Sequence, residues 1–455
     1  MIKKLSISGF RGFGLTQTIN FSLPDAKNEG SGFNVIVGPN NSGKTSIIEA
    51  IRAFNDNESP SFSEGKRNLK VNQRVKLELV DEKDFEYIIS TIESGGSNTN
   101  YSKKIDRKIL TLQSRRYINY EFGKHEAARD QYITLYNSKT ISRSAQLEGF
   151  FSRLFNILRN KEKFDEMLKS ILGESIEWTI EQMDNNNYYL KYTFDGVTHS
   201  SEGIGDGIWS VFTICDAIYD AKIGDTVIID EPELSVHPAI QKKIADLFIK
   251  ESREKQIIVC THSPYYINWN SIASGGGLIR IIKTKDVGIT CYSLTDDLRG
   301  KLKGLLQDYR NPHILGFESK EAFFLNDKII LVEGQEDVLI YKKISEHLNS
   351  NIKGEFYGWG VGGAQKMEFF LSLFRELGYK KVIGLLDGDQ TELFEKIKFE
   401  FKDYKFLILS TEDIRDKDFI TSKEKKGVTN SSGKLKDEFV DEMKILFSDL
   451  NSYLT

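Results

Sequence analysis

The octapeptide GPNNSGKT at residues 38–45 constrains this chain more than any other stretch. Two glycines bracket four residues and a Lys-Thr pair follows, which is the P-loop pattern. FNVIV (Phe33–Val37), a short β-branched apolar run, precedes it. SIIEAIRAF follows, with Ile47, Ile48, Ile51 and Phe54 at helical spacing. In a strand–loop–helix context the glycines let backbone N–H groups close around phosphate oxygens at a helix N-terminus. A site for ATP with Mg²⁺ is therefore expected from Gly38, Pro39, Asn40, Asn41, Ser42, Gly43, Lys44 and Thr45. Lys44 would reach the β and γ phosphates and Thr45 would ligate the metal.

At 455 residues the chain exceeds the roughly 250–300 that one core supports, so more than one domain is expected. No apolar run approaches the roughly 20 residues that span a bilayer. The opening MIKKLSISGFRGF alternates polar and apolar residues like a strand and lacks the continuous apolar core of a signal peptide. A cytoplasmic protein with no membrane partner is the expectation. Cys215, Cys260 and Cys291 lack CxxC spacing and sit in apolar or strand-like surroundings, so buried structural thiols are expected. The net charge of −4 conceals a basic segment, because residues 101–170 carry 15 Lys and Arg against 8 Asp and Glu. A locally positive stretch of this kind suits either a solvated helix surface or a phosphate backbone.

Clusters at GGSNTN (95–100), DNNN (184–187) and SGGG (274–277) mark turns or domain edges. Residues 1–95 read as strands around one helix. From 100 to 175 apolar residues recur at three- and four-residue spacing, as in FFSRLFNIL, predicting a helical insertion. SIEWTIEQM, DNNN, YYLKYTF and Asp195-Gly196 then predict a β-meander. After 300 a charged stretch leads into a second α/β alternation with its own parallel sheet.

TVIIDEPE (Thr226–Glu233) is an apolar strand ending in Asp230 and Glu231. This arrangement lets Asp230 hold Mg²⁺ and Glu231 polarise an attacking water. IIVCTHSP (Ile257–Pro264) likewise delivers His262 to a strand end, within reach of a γ-phosphate or that water. SSEGIGDG (Ser200–Gly207), followed by the amphipathic WSVFTICDAIY, resembles the signature loop of ABC-type ATPases. The P-loop, the Ser201-x-Gly203 loop, DEPE and the THS histidine together resemble the ABC ATPase heads of the SMC and RecF type. LSISGFRGF resembles the first strand of such heads, while Glu202 and Gly205-Asp206 depart from the commonest signature wording. The resemblance implies that Ser201 and Gly203 contact nucleotide held by a second copy, hence a homodimer or higher homo-oligomer. Gln73 and Gln113 are both candidates for the Q-loop glutamine.

IILVEGQEDVLIY (Ile329–Tyr341) ends a second apolar strand in Glu333 and places Asp337 at the start of the next helix. KVIGLLDGDQ (Lys381–Gln390) ends a third in Asp387 and Asp389. Clustered carboxylates repel one another, so a hard cation such as Mg²⁺ is expected among Glu333, Asp337, Asp387 and Asp389. LVEG, VGGAQKM and LLDGD resemble the TOPRIM domain of topoisomerases, primases and certain nucleases. That resemblance implies Glu333 as general base or metal ligand, Asp387 and Asp389 as Mg²⁺ ligands, with Mn²⁺ an alternative, and a later lysine, here taken as Lys417, assisting cleavage.

An ABC-type P-loop ATPase domain with a helical insertion, followed by a C-terminal Rossmann-like TOPRIM domain, is the α/β architecture of the OLD (overcoming lysogenization defect) family of ATP-dependent endonucleases, which this chain resembles over nearly its full length. The implied layout is an ATPase domain at 1–99 and 176–300, a helical insertion at 100–175 serving dimerisation, a linker at 301–324 and a TOPRIM nuclease domain at 325–455. Nucleic acid, DNA before RNA, is the implied substrate, with anti-phage defence as the setting and a defence-system protein or nucleic acid as a further partner. The rival expectation is an SMC-like sensor or scaffold that recruits a separate effector, its TOPRIM domain non-catalytic.

Overall fold

The computed structural model describes residues 1–54, 62, 64–68, 74–91, 99–102, 109–114, 150–194, 196–306, 316–324, 327–417 and 424–455. They divide into two compact units, Met1–Ser293 and Leu294–Thr455.

The first unit opens with β1 (Ile2–Ser8), β2 (Gln17–Asn20), β3 (Phe33–Val37), β4 (Lys76–Asp81), β5 (Glu86–Thr91), β6 (Thr99–Tyr101) and β7 (Ile109–Leu112). β8 (Glu177–Gln182), β9 (Tyr188–Phe194) and β10 (Val197–His199) form the antiparallel meander that the turn residues call for. β11 (Thr226–Asp230), β12 (Gln256–Cys260), β13 (Gly277–Thr284) and β14 (Gly288–Ser293) complete it. The central sheet has the order β14-β13-β3-β12-β11-β7, parallel except for the edge strand β14. Every residue of β3, β11 and β12 is buried, which explains their unbroken apolar wording: helices and a second sheet cover both faces. That second sheet, β2-β1-β4-β5-β6, brings Leu5, Ile7, Leu77, Leu79 and Ile89 into one core with Ile47, Ile48 and Ile51 of the P-loop helix (Lys44–Arg52) and with Ile36, Ile228 and Ile258. Each such side chain contributes roughly 1.5–3 kcal/mol by leaving water.

Of the span 100–175, read from sequence as helical, residues 109–112 form an edge strand of the central sheet, paired in parallel with β11. Helices occupy Phe150–Leu158 and Glu162–Leu172, while 103–108 and 115–149 of the basic segment lie outside the described residues. Arg153 joins the first of these helices to the helix Asp206–Asp220 through a forked ion pair with Asp216, whose residue is only 1% exposed. Removing either partner of such a buried pair costs about 3–5 kcal/mol, because the other charge is left stranded.

In the second unit a four-stranded parallel sheet has the order β16-β15-β17-β18, built from β15 (Lys328–Leu331), β16 (Glu355–Phe356), β17 (Lys381–Leu386) and β18 (Lys405–Ile408). Helices Gln335–His347, Met367–Glu376, Thr391–Glu400 and Val440–Leu454 flank these strands in sequence. A two-stranded ribbon, β19 (Asp413–Arg415) with β20 (Gly427–Thr429), follows, and its chain continues to a backbone pairing of Lys417 with Lys425. Residues 301–306, within the stretch expected as a linker, continue a helix, Asp296–Leu306, that belongs to this unit. Leu298 and Leu302 of that helix are buried, and Glu376 caps its start by accepting from Thr295 N–H and Oγ1–H, both at 2.8 Å.

Candidate functional site

Each unit carries a polar cluster at the carboxyl ends of its parallel strands, the edge at which open α/β sheets gather ligands. In the first, the P-loop turns between β3 and its helix. Gly43 sits at φ 111°, and a Cβ there would lie 2.2 Å from Ile289 Cδ1; one on Gly38 would lie 2.3 Å from the Ile281 carbonyl oxygen. Only glycine lets the loop pass this close. Pro39, Asn40 and Asn41 are exposed, while Ser42 and Lys44 are buried. Lys44 Nζ donates to the carbonyls of Gly38 (2.8 Å) and Pro39 (3.1 Å). Burial lowers its pKa, against the pull of Cys260, Asp230, Glu231 and Glu233, so all these groups sit in one field. Ser42 Oγ is buried with no hydrogen-bond partner. A narrow backbone cradle, an orphaned hydroxyl and a buried ammonium fit a polyphosphate, with Thr45 one residue beyond Lys44 to meet its metal.

Asp230 ends β11 beside Cys260 of β12 and is buried. Glu231 follows at φ 48°, a left-handed conformation costly for a residue with a Cβ, and its N–H donates to the Cys260 carbonyl at 2.8 Å. His262 lies just past the end of β12. Burial and then the Lys44 charge lower its pKa, which keeps the imidazole neutral near pH 7. Leu112 pairs with Ile229, so Gln113, next after β7, reaches the edge occupied by Asp230; Gln73 lies outside the described residues. Ser201 and Gly203 form one 3₁₀ turn ahead of the helix Asp206–Asp220. The Ser201 hydroxyl is buried, accepting from Leu190 N–H (2.7 Å) and donating to the Leu190 carbonyl (3.2 Å), so Glu202, Gly203, Gly205 and Asp206 are what this element exposes.

In the second unit Glu333 follows β15 and Asp387 follows β17, which are adjacent and parallel. Glu333 Oε1 accepts from the Asp387 N–H at 3.2 Å, and Asp337 Oδ2 accepts from the Gly334 N–H at 2.8 Å, capping its helix. Burial, then the like charges of Asp337 and Asp389, pushes the Glu333 carboxyl up to about 7. Burial with Asp337, Glu333 and Asp413 pushes Asp387 to about 9, and burial with Asp413 pushes Asp337 to about 6. These carboxylates thus share one low-dielectric patch short of positive charge. Asp389 lies on the exposed side, paired with Lys425, whose Nζ also stands 3.8 Å from Asp413; Lys417 pairs with Asp413. Burial opposes the Lys425 charge, but Asp389, Asp413 and Asp387 outweigh it and hold its pKa high.

All-oxygen donors starved of cation suit a hard divalent ion. As the side chains stand, however, no three Asp, Glu, His or Cys among the described residues form a metal-holding group. Glu333, Asp387 and Asp389 share a sheet edge without converging on one point, and Lys417 and Lys425 supply the positive charge. Gathering the carboxylates on an ion requires side-chain rotation away from these partners.

A family model described as "AAA domain, putative AbiEii toxin, Type IV TA system" matches residues 33–268. The chain belongs to that AAA family. A second model, "Overcoming lysogenization defect protein-like, TOPRIM domain", matches 324–389, so an OLD-like TOPRIM domain follows the ATPase domain. Among curated relatives the chain is 24% identical over 407 residues to the OLD nuclease of Thermus scotoductus, covering 74% of this chain and 72% of that protein. It is 24% identical over 312 residues to the Septu protein PtuA of Bacillus thuringiensis, covering 59% of this chain and 73% of that one. Among solved structures it is similar to the SMC head domain from Thermotoga maritima, at 15% identity and a TM-score of 0.38, over 65% of this chain and 99% of that one. No helix among the described residues is long and apolar enough to cross a membrane.

Three members of these clusters were not singled out for a role by sequence. Glu233, the last residue of DEPE, accepts from the His262 N–H (2.6 Å) and the Thr261 hydroxyl (2.8 Å). Asp413 opens a ribbon strand shortly after the apolar run of β18, which points equally to Glu412 and Asp416, and Lys425 is one of several neighbouring lysines with nothing in the wording to separate it. The repeated Glu of DEPE is the one usable signal.

Proposed function

We propose that this protein is an ATP-regulated, metal-dependent nuclease that hydrolyses phosphodiester bonds, in DNA before RNA. The observation that carries the reading is the shared burial of Glu333, Asp337 and Asp387 at the carboxyl ends of two adjacent parallel strands, where burial first and then neighbouring carboxylates raise their pKa values. A fold gains nothing in stability from such a cluster, which is the mark of a functional site. Glu333, Asp387 and Asp389, with Asp337 behind them, would hold Mg²⁺ or Mn²⁺, which supplies charge stabilisation at the scissile phosphate and a lowered pKa for bound water. Lys417 and Lys425 hold the carboxylates in their present arrangement and lie where they can contact phosphate. In the first unit Lys44, Thr45 and Asp230 would bind MgATP, Glu231 would orient water, and neutral His262 would accept or donate a hydrogen bond at the γ-phosphate. Two copies closing on nucleotide would gate the nuclease. A role in anti-phage defence rests on the resemblance to OLD-family proteins.

A second reading is favoured by the absence of a preassembled three-ligand group among the described residues: an ATPase sensor or scaffold whose TOPRIM domain docks an effector. One experiment separates the two. Purified protein is incubated with plasmid, linear DNA and tRNA, with Mg²⁺ or Mn²⁺, with and without ATP. Metal-dependent cutting lost in the Asp387→Ala, Asp389→Ala double variant is the expected result, and cutting that persists in that variant removes the metal assignment.

A further inference from the structure

Glu233 stands in a closed ring of hydrogen bonds. Its carboxylate accepts from the His262 N–H (2.6 Å) and from Thr261 Oγ1–H (2.8 Å); Thr261 Oγ1 in turn accepts from the Ser263 N–H (2.9 Å). Ser263 Oγ–H donates to Gln241 Oε1 (2.7 Å), and Gln241 Nε2 donates to the Val236 carbonyl (2.7 Å). The Val236 N–H closes the ring on the Glu233 carbonyl (3.0 Å). Thr261, Ser263 and Gln241 are buried. The ring spans the loop after β11, which carries Glu231, the loop after β12, which carries His262, and the first turns of the helix Pro238–Glu251.

No cation partners Glu233 in this ring, only N–H and O–H donors. Apolar residues of the same volume would pack the site at no loss of stability, whereas a fully satisfied polar ring fixes one geometry and penalises every other. What it fixes is the separation between two strand-end loops whose side chains must meet the same phosphate.

We propose that Glu233 is a positioning residue of the ATPase, acting through the backbone of His262 and the hydroxyl of Thr261 to hold the imidazole in register with Glu231. The inference rests on reading the first unit as an ATPase. It assigns the ring to the hydrolytic step and leaves nucleotide binding to the P-loop.

The test uses the full chain with MgATP and with ATPγS. Thr261→Val is expected to lower kcat about ten- to a hundredfold, the effect of losing one hydrogen bond to a charged group, and Glu233→Ala, which loses two, by at least as much, with KM and the ATPγS Kd held within about threefold in both. Thr261→Ser, which keeps the hydroxyl, is expected to stay within about threefold of the parent, and Glu233→Gln, which keeps one acceptor, to fall between parent and Glu233→Ala. A kcat unchanged in both disruptive variants, a Thr261→Ser as impaired as Thr261→Val, or loss of ATPγS binding in step with kcat overturns the proposal. Hydrogen exchange over residues 257–266 gives a readout independent of turnover. ATPγS is expected to slow exchange there in the parent and to leave it unchanged in Glu233→Ala, and slowing that survives in Glu233→Ala overturns the proposal. A parent chain without ATP turnover sinks the hydrolysis reading alone, and the exchange measurement still decides the ring.

Discussion

The two polar clusters occupy the same place in their sheets and balance their charge in different ways. In the first unit the buried ammonium of Lys44 faces Asp230, Glu231 and Glu233 and is satisfied by carbonyls of its own loop, while Glu233 is satisfied by donors in a closed ring. In the second, three half-buried or buried carboxylates press on one another, and the lysines that answer them, Lys417 and Lys425, arrive from a short ribbon outside the main sheet and pair with Asp413 and Asp389. A site whose charges close internally is organised before its ligand arrives. One that closes on neighbouring lysines must trade partners when it binds.

The largest effect expected from this contrast is on cutting. Replacing Asp387 and Asp389 by Ala should reduce plasmid cleavage by roughly a thousandfold, as befits several kcal/mol of metal-supplied stabilisation, while steady-state ATP hydrolysis stays within about twofold. Loss of both activities together would break the contrast. Next comes Lys44→Ala, expected to weaken nucleotide binding about a hundredfold by removing a charge-assisted contact to phosphate, measured by titration calorimetry with ATPγS. Calorimetric unfolding should leave the second unit's metal response unchanged in that variant.

Acidity offers a sharper comparison. Asp387 near 9 and Glu333 near 7 hold protons in the folded form that an unfolded carboxyl releases at its ordinary value of about 4. Their stabilising contribution is complete below that value and is lost as pH rises through the folded values. In EDTA the unfolding transition of the second unit should therefore move down in temperature from about pH 5 to about pH 9, and Asp387→Asn should flatten part of that slope. Mg²⁺ should raise the transition most at the alkaline end, where the carboxylates are free to bind it. A slope that Asp387→Asn leaves intact would place the buried protons elsewhere. The smallest effect belongs to Lys425→Gln: a partly exposed pair is worth about 0.2–1 kcal/mol, so Mg²⁺ affinity should tighten by no more than about fivefold once Asp389 is released.

Parallel strands buried on both faces must be apolar, so the first carboxylate or histidine at or after their ends stands out: Asp230 closes β11, Asp387 follows β17 directly, and His262 and Glu333 lie two residues beyond β12 and β15. Contacts between loops left no such trace. Nothing in TEDIRDK shows that Asp413 starts a ribbon strand and faces Lys417 and Lys425, nor that Ser201 spends its hydroxyl on Leu190. Ile109–Leu112 is too short an apolar run for periodicity to separate strand from helix, and pairing with β11 decided it. Pairing also places Gln113 at the strand edge, while Gln73, the other candidate, lies outside the described residues.

The forked contact of Arg153 with Asp216 bears on motion within the first unit. Asp216 lies ten residues beyond Asp206 on one continuous helix, a span of about 15 Å at the helical rise per residue. A helix is stiff along its axis, so this ion pair ties residues 150–158 to the same rigid rod whose first turn carries the exposed Gly205–Asp206 corner.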